Sequence, residues 1–152
     1  MKKPLMALKI TVQLPLVGGG SFDWQVLDLA ALIHHVASSS TLYRSFLQYA
    51  FAHHALPFTA IIHEDEVTPG NVMVSRRKAH GWYCSFRQFG LHIRNENSWL
   101  HFASLQSDFV GCIEGGFATV TCCLYKSFLG RSSILQGGIA VDVGGSHRLS
   151  LT

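Results

Sequence analysis

Along residues 8–16, LKITVQLPL, apolar Ile10, Val12 and Leu14 alternate with Lys9, Thr11 and Gln13. A period of two predicts a strand with one wet face, and Gly18, Gly19 and Gly20 end it. Past that break Val26, Leu29, Ala30, Ile33 and Ala37 fall at helical spacing, so a helix is expected from a cap at Ser21 or Asp23. Ser38, Ser39 and Ser40 interrupt it. A second helix is expected over 41–55, with Leu42, Phe46, Tyr49 and Ala50 on one side. Pro57 closes it, because the residue before a proline avoids the helical region.

Beyond Pro57 the period returns to two: Thr59, Ile61, His63 and Asp65 face one way, Ala60, Ile62, Glu64 and Glu66 the other. Pro69, Gly70 and Asn71 supply a tight turn. Basic Arg76, Arg77 and Lys78 follow, and 79–89, rich in Trp, Tyr and Phe, reads as a second strand. Gly90 permits a reversal into a third strand over 99–105, and Val110, Ile113, Phe117, Val120 and Leu124 then mark a helix ending near Gly130. Gly115 and Gly116 inside that pattern cost about 1 kcal/mol each relative to alanine, which predicts a bend, a late helix start or a close contact there. Residues 134–152 read as a hairpin turning at Gly144 and Gly145. The sum is an α+β chain, expected as an RNase H-like mixed sheet with three antiparallel strands first, two N-terminal helices and one later helix.

Composition changes this picture in two ways. With 152 residues and 48% hydrophobic content the chain can enclose one core, so 1–152 is read as a single domain. Only 14% of residues are charged and the mean hydropathy is +0.24. Such an apolar balance suggests surface covered by more chain or by a partner, as in the truncated N-terminal part of a larger catalytic domain or a homo-oligomer. The net charge of +3 tolerates DNA without demanding it.

Cys84, Cys112, Cys122 and Cys123 form no C-x-x-C pair and are read as reduced, mostly buried thiols, which points to an intracellular and reducing compartment. Lys2 and Lys3 before an apolar stretch imitate a signal peptide faintly, but Lys9 and Gln13 interrupt it. No run reaches the roughly 18 residues of a membrane span, so no membrane partner is expected.

Carboxylates are concentrated in one place, Glu64, Asp65 and Glu66 at the end of an apolar strand, three of the nine acids in the chain. Mg²⁺ is a hard cation that takes oxygen ligands, and two such ions about 3.5–4 Å apart stabilise phosphoryl transfer. Asp65 and Glu66 are therefore the candidate catalytic acids, with Asp65 and Asp142 the candidate Mg²⁺ ligands. The plainer alternative is that these acids are solvated or cap turns, which fits Asp142 ahead of Val143, Gly144 and Gly145.

Five blocks of this chain, EDEVTPGN (64–71), RRK (76–78), GWYCSFRQFG (81–90), SWLHFASLQSDFV (98–110) and GGF (115–117), carry a resemblance over about 21–151. In combination they look like a large set of uncharacterised proteins repeated through dinoflagellate genomes. High copy number and layout in that set imply mobile elements with an RNase H-like, DDE-type transposase core and a nuclear location. Asp65 and Glu66 match its first acidic pair, whereas the position of Asp142 is usually apolar there.

A second function class is a non-catalytic module that binds nucleic acid or protein. Its contact would be an exposed aromatic strand bearing Trp82, Tyr83 and Phe86, flanked by Arg76, Arg77, Lys78 and Arg87. The competing account is that these aromatics are sheet core. A histidine metal site from His34, His35, His53 and His54 is a third option, and a thiol enzyme on Cys84 with His80 or His101 a fourth.

Overall fold

In the computed structural model, which describes residues 5–68, 78–129 and 138–152, the N-terminal alternation forms strand β1 (Lys9–Pro15). Gly18, Gly19 and Gly20 take positive φ and turn the chain, and β2 (Ser21–Leu27) returns antiparallel with Trp24 opposite Val12. The helix expected from Ser21 or Asp23 is thus a strand as far as Leu27. Its own alternation explains the outcome: Trp24 and Val26 are buried while Asp23 and Gln25 are exposed.

Helix α1 (Leu29–Ser39) begins where Asp28 accepts the Ala31 N–H at 3.1 Å, and it buries Leu29, Ile33 and Ala37. Ser40 caps α2 (Thr41–His53), which buries Tyr43, Phe46, Leu47 and Ala50. Leu42 and Tyr49, expected on the buried side, are exposed instead. The stripe facing the core is rotated by one residue, because Tyr43 and Phe46 both pack their rings against Phe89.

Strands β3 (Ala60–Val67), β4 (Ala79–Phe86) and β5 (Leu100–Gln106) form an antiparallel sheet in the order β3-β4-β5. β4 stops at Phe86 rather than Phe89, since the chain coils into a 3₁₀ segment, Arg87–Arg94, that delivers Phe89 to the core. After the short α3 (Ser107–Val110) comes α4 (Gly116–Leu129). Gly115 and Gly116 take φ of 79° and 59°, so the helix starts late and Val110 and Ile113 precede it. The terminal hairpin joins β6 (Ile139–Asp142) to β7 (Ser146–Leu149), turning at Gly144 and Gly145 as expected.

The fold is therefore mixed α+β with antiparallel sheets and several helices. One face of the central sheet carries Trp82, Cys84 and Phe86 into the core, and α4 adds Val120, Leu124 and Phe128, the last edge-on to Phe102. Past β7 the chain lies parallel to the start of β3 through a Phe58–Leu151 bridge. Phe58 N–H donates to Ser150 O at 2.8 Å, Thr152 N–H to Phe58 O at 2.9 Å, and Ala60 N–H to Thr152 O at 3.1 Å.

Candidate functional site on the outer face of the central sheet

The acidic cluster is divided by the strand it sits on. Alternation along β3 places Glu64 opposite Trp82 and Glu66 opposite His80, on the face that carries the core, while Asp65 lies opposite Gly81 on the other face. Glu64 accepts from His80 Nδ1 at 2.5 Å. Glu66 accepts the Ser107 hydroxyl at 2.8 Å and sits 3.6 Å from Lys78 Nζ. The Ser107 hydrogen bond, with the Lys78 charge, holds the Glu66 carboxyl below its ordinary range. Asp65 is exposed, and β3 is an edge of its sheet.

Asp142 stands on the separate β6–β7 sheet, where its carboxylate accepts the Gly144 N–H at 3.1 Å. That is the turn-capping arrangement. Mg²⁺ takes several oxygens converging at about 2.0–2.1 Å. Here Asp65 and Asp142 belong to different sheets and Glu66 is turned away from Asp65. Among the described residues no group of three or more His, Cys, Asp or Glu side chains is placed to hold an ion, so these acids do not fit the metal expected of them.

Of the basic residues, Lys78 is paired with Glu66 and Arg87 is exposed at the end of β4, its N–H bonded to Thr59 O at 3.0 Å. Arg76 and Arg77, and the Pro69–Gly70–Asn71 turn, lie outside the described residues.

The aromatic strand splits in the same way. Trp82 and Phe86, which the binding-module reading needs on an exposed face and the competing account places in the sheet core, are fully buried. They share the core face with Cys84, whose thiol burial pushes up to about 12, which removes it as an activated nucleophile. Tyr83 alone points outward. Across the strands it meets His63 on β3, with ring centroids 6.5 Å apart, and His101 on β5, 4.9 Å apart. Trp99 stands edge-on to His63 at 5.9 Å, with its indole N–H bonded to Ile93 O at 2.8 Å.

Two local features assemble this row. A register shift after Trp82 pairs Trp82 with Ala103 but Tyr83 with His101, so Phe102 turns into the core and His101 joins the outer face. Gly81 leaves room for the tyrosine: a Cβ there would stand 2.9 Å from Tyr83 Oη. His101 Nε2 is bonded to the Ser104 hydroxyl at 2.7 Å, and Lys9 and Gln25 line a shallow depression with both. Sequence reasoning found Tyr83 but missed His63, His101 and Trp99 as its companions. Alternation along β3 carries the signal for His63, whereas the bulge hides that for His101.

Among the described residues the helix histidines belong to no group of three or more side chains placed to hold a metal. His34 Nδ1 is bonded to Ala140 O at 2.7 Å and His53 Nδ1 to Tyr49 O at 2.8 Å. Cys112 and Cys122 are exposed and Cys123 half-buried, so of the thiols only Cys84 is buried as expected. No described helix is long and apolar enough to cross a membrane. No family model, curated protein or solved structure matches this chain.

Proposed function

We propose that the chain is a non-catalytic nucleic-acid-binding module whose contact surface is the outer face of β3-β4-β5. The observation that carries this reading is the ring row His63, Tyr83 and His101, one ring per strand, with Trp99 at its end. Bases of a single strand stack on such platforms with little sequence preference, each worth about 1–3 kcal/mol by alanine substitution. Lys9 at the His101 side and Arg87 offer charge for phosphates. The test is fluorescence anisotropy with labelled oligo-dT at low and high salt. Binding that weakens with salt and falls about tenfold in Tyr83→Ala supports the module. No retention at low salt, or a Tyr83→Ala variant that binds as well, overturns it.

A second reading, a fragment of an RNase H-like DDE-type transposase or integrase domain that is inactive alone, has its own support. Three antiparallel strands are followed by α4, and the chain then returns parallel to β3 on the side away from β4, the strand order such a core needs. Asp65 sits late on the first of those strands. Its exposure and the dispersed acids weigh against Mg²⁺ chemistry by this chain itself. A version extended along the downstream reading frame, assayed for Mg²⁺-dependent DNA nicking that Asp65→Asn abolishes, tests it; an extended chain with no nicking and no further acid beside Asp65 rejects it.

A further inference from the structure

We propose that Asp65 gives the outer face of β3-β4-β5 a preference for guanine, its carboxylate accepting from the N1–H and the N2 amino group of a base stacked on Tyr83. This inference rests on the nucleic-acid reading above and adds to it which base the face selects.

The missing side chain of Gly81 brings the two groups together. Asp65 and Gly81 are directly opposed on β3 and β4, on the same face as the His63 and Tyr83 pair two residues away along each strand. Opposed residues of an antiparallel pair set their Cβ positions about 4.5–5.5 Å apart. The Tyr83 ring leans over Gly81, with Oη 2.9 Å and Cε2 3.0 Å from where a Cβ would stand. The hydroxyl end of that ring therefore lies beside the Asp65 side chain. On the other flank stands Ser104 of β5, also paired with Gly81, whose hydroxyl is engaged by His101. A base lying on the Tyr83 ring thus reaches an exposed carboxylate with one edge.

Charge makes this position selective. Among the described residues the ion pairs join Lys78 to Glu66 and His80 to Glu64, on the opposite face of β3, and none reaches Asp65. A carboxylate on a surface that takes up phosphates repels the backbone of the strand, so it favours binding only where a base presents donors to it. An ionised carboxylate is acceptor-only, with two oxygens. The Watson–Crick edge of guanine carries two adjacent N–H donors that match both oxygens, a bidentate and charge-assisted arrangement. Cytosine and adenine offer one amino group, the kind of donor that acidic side chains accept from in base recognition. Thymine and uracil flank their one N–H with carbonyl oxygens on both sides, which the carboxylate repels. Stacking tolerates any base, whereas Asp65 does not.

The test uses the full chain and three labelled oligonucleotides of equal length: oligo-dT, alternating dT and dG, and alternating dT and deoxyinosine, a purine that lacks the N2 amino group. By anisotropy at one salt concentration the dG strand is expected to bind about tenfold more tightly than oligo-dT, with the deoxyinosine strand between them. Asp65→Asn keeps the shape and removes the charge, and it is expected to bring the three strands within about twofold of one another without weakening oligo-dT. Equal binding of dG and deoxyinosine strands, equal binding of dG and dT strands, a guanine preference that survives Asp65→Asn, or a loss of oligo-dT binding in that variant would each overturn the inference and leave the module standing. Failure of all three strands to bind would overturn the module and this inference together.

Discussion

Trp24 donates its indole N–H to the main-chain carbonyl of Ser104 at 2.8 Å, and its ring stands edge-on to Trp82 at 5.4 Å. One side chain from the N-terminal hairpin thereby occupies a backbone acceptor on the outer edge of β5 and fills the core beneath β4. Trp24→Phe keeps most of the ring packing but strands the Ser104 carbonyl, which is expected to cost about 1–3 kcal/mol. Urea unfolding of the two proteins measures it, and an unchanged midpoint would show that the bond contributes nothing.

Neighbours on β4 are expected to behave oppositely. Trp82→Ala empties a fully buried site and is expected to cost about 3–5 kcal/mol. Tyr83→Ala, on the outer face, is expected to leave stability nearly intact and to lower oligonucleotide binding instead. Parallel chemical denaturation and anisotropy separate the two effects.

Burial raises the Cys84 thiol from 9.0 to about 12. In the unfolded chain this thiol ionises as pH passes its ordinary value, while in the folded chain it stays protonated. Stability from this group is therefore complete below pH 9 and is lost progressively toward pH 12. Cys84→Ala is expected to flatten that alkaline decline. A thiol reagent at neutral pH is expected to modify Cys112 and Cys122 quickly and Cys84 only on unfolding.

Glu66 works in the other direction. Its carboxyl is lowered first by the Ser107 hydroxyl and then by Lys78, so the contribution is present above the ordinary carboxylate value and lost as pH falls through the lowered one. Ser107→Ala is expected to move the Glu66 titration upward in an NMR pH series, and an unmoved curve would remove the hydrogen bond from the account.

Gly115 takes φ of 79°, and a Cβ there would collide with Thr119 Oγ1. Gly115→Ala is expected to destabilise the start of α4 by more than about 1 kcal/mol, whereas a glycine in an ordinary helical conformation would gain from the same change. Thermal melts decide between these.

Periodicity marked β1 and the body of α1 through the residues that the fold buries, and it located α2 and β3 as elements, although the buried face of α2 runs through Tyr43 and Leu47 rather than Leu42 and Tyr49. It also placed Cys84 in the core by its face on β4, although it read all four thiols as mostly buried. Tertiary structure decided the rest. Residues 21–27 satisfy both periods in part, and only the hairpin partner β1, which supplies backbone hydrogen bonds, makes them a strand. Trp82 and Tyr83 are adjacent aromatics in sequence, but one is core and the other surface because α4 and β2 cover a single face of the sheet. The row His63, Tyr83 and His101 joins residues far apart in the chain through a bulge that no local pattern announces. Conversely Asp65 and Asp142, chemically alike in the sequence, are parted by the fold into different sheets, since carboxylates meet only where strands bring them.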